Sequence, residues 1–156
     1  IGQGLSVTPM QMMEGYAAIA NGGILRTPRL LETIDGQPVD HSAGERVISA
    51  KTSEQLRAML EGVLGEGGTA SEVSVPGYVL AGKTGTAQQV VDGTYSESQF
   101  IASFVGFAPA ADPRLLVSVI VDDPKGGDYY GGSVAAPAFG EIASFALPYL
   151  GIAPTE

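Results

Sequence analysis

A strand-forming stretch punctuated by small residues constrains this chain more than any other feature. Residues 78–91 favour a strand, yet Gly82-Lys83-Thr84-Gly85-Thr86-Ala87-Gln88 lies within it. Two glycines and an alanine leave little side chain to hold an extended ligand away from the backbone N–H groups, while a lysine and two hydroxyls stand ready to hold a carboxylate. Two further β-rich runs follow, at 100–107 and 115–121. Asp92-Gly93 after the first run is a hairpin or loop signal, followed by the polar stretch 94–99. Pro109 to Pro113 joins the second run to the third.

Helical patterns flank these strands. Thr8 is placed to cap a helix whose first position is Pro9. Met10, Met13, Tyr16 or Ala17, and Ala20 recur at helical spacing, and Asn21-Gly22-Gly23 ends the helix. The cluster Met10, Met12 and Met13 is expected in the core. Residues 24–34 are β-like, Asp35-Gly36 is a turn, and 38–46 is a loop. Ser49 caps a second helix with the apolar stripe Leu56, Met59, Leu60 and Val63, closed by the glycines of 65–68. Residues 122–132 form a Gly-rich loop, and 134–150 a terminal helix with Pro137 in its first turn and Pro148 at its end. Antiparallel strands with short connections and flanking helices give an α+β layer architecture, an antiparallel sheet flanked by helices. Neither glycine-rich segment marks a domain boundary.

Composition removes several functions. The net charge of -9 has the wrong sign for nucleic-acid binding. With no cysteine there is no disulfide and no thiolate metal site, and the single His41 cannot build a His-rich one. The longest apolar run, 115–121, is interrupted by Ser118 and is far short of the roughly 20 residues that span a bilayer. The chain begins at Ile1 without Met, which reads as a piece of a longer protein.

Gly77 to Thr84 matches the phosphate-binding pattern of Gly, four residues, Gly-Lys-Thr. That mechanism needs a loop between the glycines and a helix starting at the lysine. Tyr78-Val79-Leu80-Ala81 favours a strand, Pro76 precedes the first glycine, and Val90-Val91-Asp92-Gly93 runs into a turn. Asp122 or Asp123 is the candidate Mg²⁺-binding acid that such a site requires, and the nucleotide-binding reading ranks lowest among the expectations.

In its surroundings, Lys83-Thr84-Gly85-Thr86-Ala87-Gln88 resembles the third active-site motif of the class B penicillin-binding proteins. The resemblance extends through Ile1-Gly2-Gln3-Gly4-Leu5-Ser6-Val7-Thr8-Pro9-Met10-Gln11-Met12, Ala18-Ile19-Ala20-Asn21-Gly22-Gly23, Val75-Pro76-Gly77-Tyr78, Phe104-Val105-Gly106-Phe107-Ala108-Pro109 and Val134-Ala135-Ala136-Pro137-Ala138-Phe139. It is closest in style to the septal, cell-division D,D-transpeptidases. It implies the fold shared by penicillin-binding proteins and serine β-lactamases, action on the extracytoplasmic face of the cytoplasmic membrane, and no cofactor. The implied partners are peptidoglycan stem peptides, β-lactams, divisome proteins and the rest of the same domain. In that chemistry a serine attacks the penultimate D-Ala carbonyl, the last D-Ala leaves, and a second stem's amine resolves the acyl-enzyme. By resemblance Lys83 shuttles protons and adds positive potential. Thr84 and Thr86 offer hydroxyls to the substrate carboxylate, the Thr86 N–H is an oxyanion donor, and Gly85 keeps the strand bare where substrate packs. Gln88 is a rim residue.

The other two motifs of the family are absent from these residues. No serine is followed three residues later by lysine, and the only asparagine, Asn21, has Ile19 where Ser-x-Asn needs serine. Residues 1–156 are thus expected to be the C-terminal part of a transpeptidase domain, inactive alone and with an open sheet edge and core face. The competing expectations are a non-catalytic divisome interaction module and a β-lactamase or penicillin-sensor relative. Asp122-Asp123 is expected at a strand end, His41 in solvent, and Gly126 to Gly132, with Tyr129 and Tyr130, in a loop with at most a secondary role in lining the substrate groove.

Overall fold

A computed structural model describes residues 4–39 and 43–155. His41 and Ile1-Gly2-Gln3 lie outside the described residues. The element order is α1 (Pro9–Ala20), β1 (Ile24–Leu25), β2 (Thr33–Ile34), β3 (Gln37–Pro38), β4 (Glu45–Arg46), α2 (Ala50–Glu61), β5 (Ala81–Val91), β6 (Thr94–Ala108), β7 (Leu115–Asp122), α3 (Gly131–Val134) and α4 (Ala136–Tyr149).

The α1 start follows its sequence signals. Thr8 and Gln11 form a reciprocal capping box, with the Gln11 N–H donating to Thr8 Oγ1 at 3.2 Å and the Thr8 N–H donating to Gln11 Oε1 at 2.9 Å. Met10 and Met12 are exposed rather than in the core, and Met13 is half-buried. The small residue Ala18 is the one buried position of the helix, so α1 packs through its alanine side and leaves Met10 and Met12 exposed among the described residues. In α2, Ser49 caps as expected, but Met59 is 68% exposed while Ser53 is fully buried. Ser53 Oγ donates to the Ile19 carbonyl at 2.6 Å, tying α2 to the end of α1. A buried hydroxyl needs such a partner.

The region between the helices departs from its sequence pattern. Residues 24–34 are not one strand: β1 pairs with β4, and β2 pairs with β3 across the Asp35-Gly36 turn. The expected loop at 38–46 therefore contains strand residues at both ends. Leu30 between the two pairs is 99% exposed. Pro28 has no N–H to donate to a ladder, and none of the described strands pairs with 26–32.

β5, β6 and β7 form an antiparallel sheet in that order. Asp92 and Gly93, with φ of 50° and 79°, make the two-residue turn, and Val91 faces Thr94. Positive φ at both positions twists the hairpin the way the strands twist. Pairing spreads from that turn into 94–99, so the polar stretch is the first part of β6, interrupted by a register shift between Gln88 and Val90. β5 begins at Ala81 rather than Tyr78, because Val75 and Tyr78 bridge each other around Pro76-Gly77. The Tyr78 hydroxyl instead donates to the Ile152 carbonyl at 2.6 Å.

The expected terminal helix is two helices. α3 takes Gly131 and Gly132 out of the predicted loop, Pro137 lies in the first turn of α4, and Pro148 in its last. α4 covers one sheet face, where the Phe104 and Phe139 ring centroids lie 4.9 Å apart among Val73, Val75, Leu80 and Leu147. Gly82 and Gly106 face each other across β5 and β6 on this side. A Cβ at Gly82 would lie 2.5 Å from the Phe104 ring, and one at Gly106 would lie 2.8 Å from the Phe139 ring. The paired glycines make the hollow that the two rings fill. On the other face Phe107, Ala81 and Ala110 pack with Leu60 of α2.

Candidate active site

Among the described strands β5 pairs only with β6, so it is an edge of the sheet. An antiparallel edge strand leaves alternate N–H and C=O groups without a strand partner, ready for an extended ligand. Side chains alternate along it, so Thr84, Thr86 and Gln88 share a face with Phe104, Ala102 and Phe100 of β6. That is the face against which α3 packs.

Lys83 is exposed, and its stem curls around the strand. Lys83 Nζ donates to the Thr84 carbonyl and to Thr84 Oγ1, both at 3.1 Å. Thr84 Oγ1 also lies 2.9 Å from Thr69 Oγ1, on the segment that follows α2. Thr86 Oγ1 accepts the Gly131 N–H at 3.0 Å, which fastens the start of α3 to the strand. The structure thus brings Lys83, Thr84 and Thr86 together as one ammonium and two hydroxyls along a strand edge. Gln88 turns elsewhere: its Nε2 donates to the Ser96 carbonyl at 2.9 Å, along the hairpin.

Close packing explains the glycines here. A Cβ at Gly85 would lie 2.4 Å from Ser103 Oγ. One at Gly131 would lie 2.3 Å from the Ser103 carbonyl oxygen and 2.4 Å from that of Gly85. One at Gly132 would lie 2.0 Å from the Thr69 carbonyl oxygen. The start of α3 therefore sits directly on the Lys-Thr-Gly strand and on the Thr69 segment.

Beside it the 123–130 loop adds an aromatic stack. Tyr129 lies on Phe100 with centroids 4.0 Å apart and planes at 12°, and Tyr130 follows at 4.6 Å. The Tyr129 hydroxyl is held above its ordinary titration range by its hydrogen bond to Tyr130. The Asp128 carboxyl is held low, first by accepting the Tyr130 N–H at 3.0 Å and then by a hydrogen bond from the Ser133 side chain. Asp122 ends β7 as expected and accepts from Gln89 Nε2 at 2.5 Å.

Thr69, a neighbour of the site, was not singled out by sequence reasoning, and Gly131 was marked only as part of the loop at 126–132. Gly67-Gly68-Thr69 and Tyr130-Gly131-Gly132 look like ordinary loop signals, and nothing local indicates which strand each will meet. The phosphate-binding alternative fails in the structure as in the sequence: Pro76-Gly77 is a turn, and β5 continues through Lys83 to Val91 with no helix beginning there.

A model of the penicillin binding protein transpeptidase domain matches residues 1–144. The chain belongs to the penicillin-binding protein transpeptidase family. It is 49% identical to stage V sporulation protein D of Bacillus subtilis over 99% of this chain and 25% of that protein. It is 41% identical to the peptidoglycan D,D-transpeptidase FtsI of Escherichia coli, over 98% of this chain and 25% of that protein. The apo transpeptidase domain of Burkholderia pseudomallei penicillin-binding protein 3 superposes with a TM-score of 0.86 at 41% identity, covering 99% of this chain and 46% of that one. Mycobacterium tuberculosis penicillin-binding protein 3, solved with ampicillin, gives 0.85 at 37% identity, covering 99% of this chain and 37% of that one. This penicillin-binding protein chain therefore spans about a quarter of those two curated relatives. Its α+β fold, with an antiparallel sheet flanked by helices, is part of the transpeptidase-domain fold.

Proposed function

We propose that this chain forms the Lys-Thr-Gly wall of a serine D,D-transpeptidase that cross-links peptidoglycan stem peptides and is acylated by β-lactams. The Ser-x-x-Lys and Ser-x-Asn motifs come from another part of the same domain. The observation that carries the reading is the cluster of Lys83 Nζ, Thr84 Oγ1 and Thr86 Oγ1 on an exposed strand edge. An extended stem peptide adds to β5 as a further strand, which supplies main-chain hydrogen bonds and places its terminal carboxylate against the two hydroxyls. The Lys83 ammonium supplies positive potential on an otherwise acidic chain. The Thr86 N–H donates to the oxyanion that forms when the serine attacks the penultimate D-Ala carbonyl; losing one such donor costs about a hundredfold to a thousandfold in rate. The C–N bond to the last D-Ala then breaks, and an amine from a second stem takes the acyl group from the serine.

Exposed Leu5, Val7, Met10, Leu30 and Leu31 support a surface that the remainder of the domain covers. The reading places the domain outside the cytoplasmic membrane, in septal wall synthesis with divisome partners. The test is labelling of the full-length protein by a fluorescent penicillin. Labelling that survives denaturation and drops sharply in Lys83→Ala is expected. A full-length protein that takes up no label would sink the proposal.

A further inference from the structure

We infer that Thr69, outside the Lys-Thr-Gly motif, is a positioning residue that commits the Thr84 hydroxyl proton to the substrate carboxylate. The inference rests on the transpeptidase reading and follows from a count of donors and lone pairs. A hydroxyl has one proton to donate and two lone pairs to accept with, while an ammonium only donates. Lys83 Nζ at 3.1 Å therefore occupies one lone pair of Thr84 Oγ1. Thr69 Oγ1 at 2.9 Å either receives the Thr84 proton or donates to the second lone pair. With no anion present both orientations are open. A carboxylate arriving beside Thr84 settles the choice: Thr84 donates to the carboxylate and Thr69 donates to Thr84. Thr84 then accepts twice and donates once, and each added donor polarises its O–H bond further.

The segment that carries Thr69 is built to hold it still. The Ala70 N–H donates to the Val63 carbonyl at 3.0 Å, and Ala70 is buried in the main core. A Cβ at Gly68 would lie 2.2 Å from the Val63 carbonyl oxygen, so the chain folds tightly there. On the other side Gly132 of α3 presses on the Thr69 carbonyl. Thr69 is thus clamped between the core and α3, while its hydroxyl stands beside the motif. Carboxylate recognition, not the acylation chemistry, is what it serves.

The test compares full-length wild type with Thr69→Val and Thr69→Ser, using benzylpenicillin and its methyl ester as probes. Thr69→Val should acylate about fivefold more slowly with benzylpenicillin, the worth of one neutral hydrogen bond. Its rate with the ester, which offers no carboxylate, should stay within about twofold of wild type, and Thr69→Ser should restore most of the loss. Where valine is not tolerated, Thr69→Ala should give the same split between the probes. Equal rates for wild type and Thr69→Val would overturn the inference. So would a proportional loss with both probes, which marks a purely structural role. A wild-type protein inert to benzylpenicillin would bring down the transpeptidase reading and this inference together, whereas an active wild type with an unaffected Thr69→Val removes this inference alone.

Discussion

Gly131→Ala is the most decisive single test of how the site is assembled. Gly131 is buried, helical, and not in the left-handed region, so alanine meets no backbone penalty there and the cost is contact alone. The added methyl would sit 2.3 Å from the Ser103 carbonyl oxygen and 2.4 Å from that of Gly85. A carbon ordinarily stays about 3.3 Å or more from such an oxygen, so α3 must retreat by roughly 1 Å. Both obstructing atoms are backbone in paired strands, and neither can swing aside. The Gly131 N–H to Thr86 Oγ1 bond, 3.0 Å long, would be stretched beyond hydrogen-bond range. Its loss costs about 1 to 3 kcal/mol, because the Gly131 N–H is left without an acceptor in a buried position. Displacement of a positioning group by 1 Å can cost about a hundredfold in rate. The expected outcome is a full-length protein that folds with reduced stability and is acylated by fluorescent penicillin about tenfold to a hundredfold more slowly. Stopped-flow labelling and urea unfolding measure the two effects. Acylation within twofold of wild type and an unchanged unfolding midpoint would refute the close seating of α3 on β5.

Phe139→Ala, which empties the position against the Phe104 ring, should lower the unfolding free energy by about 3 to 5 kcal/mol by urea titration, and a loss below 1 kcal/mol would mean the rings do not anchor α4. Ser53→Ala leaves the Ile19 carbonyl without its donor and should cost about 1 kcal/mol or more in the same assay; a neutral result would dismiss the tie between the first two helices. The Asp128 carboxyl should titrate below the ordinary value of 3.8 when followed by carbon NMR in the folded protein. Its folded pKa is depressed, so its stabilising contribution is complete above 3.8 and fades as pH falls through the lowered value. A midpoint at or above 3.8 would remove the Tyr130 and Ser133 contacts as its cause.

Signals that act within a few residues were legible in the sequence. Thr8 with Gln11, Ser49 with Thr52, and Asp92-Gly93 each close a turn or cap through their own side chains or φ preferences, and all three stand where the residues say. Lys83, Thr84 and Thr86 were likewise legible as a group, because strand alternation puts the two hydroxyls on one face and the long Lys83 side chain reaches round to its neighbour Thr84. Signals that depend on what arrives from elsewhere were not. The 94–99 stretch is polar in composition, yet it is strand because a tight turn delivers it to β5. Met59 completes an apolar stripe on paper but meets solvent, while Ser53, a poor core candidate by type, is sealed by the helix before it.

The sequence by itself determined the α+β class, the starts of the first two helices, the turn at Asp92-Gly93, and the ammonium and hydroxyls of the Lys-Thr-Gly strand, since the caps, the turn and the motif each depend on neighbours a few residues away. Only the tertiary structure decided that Thr69, 14 to 15 positions before the motif, shares a hydrogen bond with Thr84, and that Gly131, 45 positions beyond Thr86, donates to it. Those pairings come from two loops folding onto one strand across a common core. A glycine or threonine in a loop carries no local mark of the backbone it will press against, so the assembly of the site is written in packing rather than in pattern.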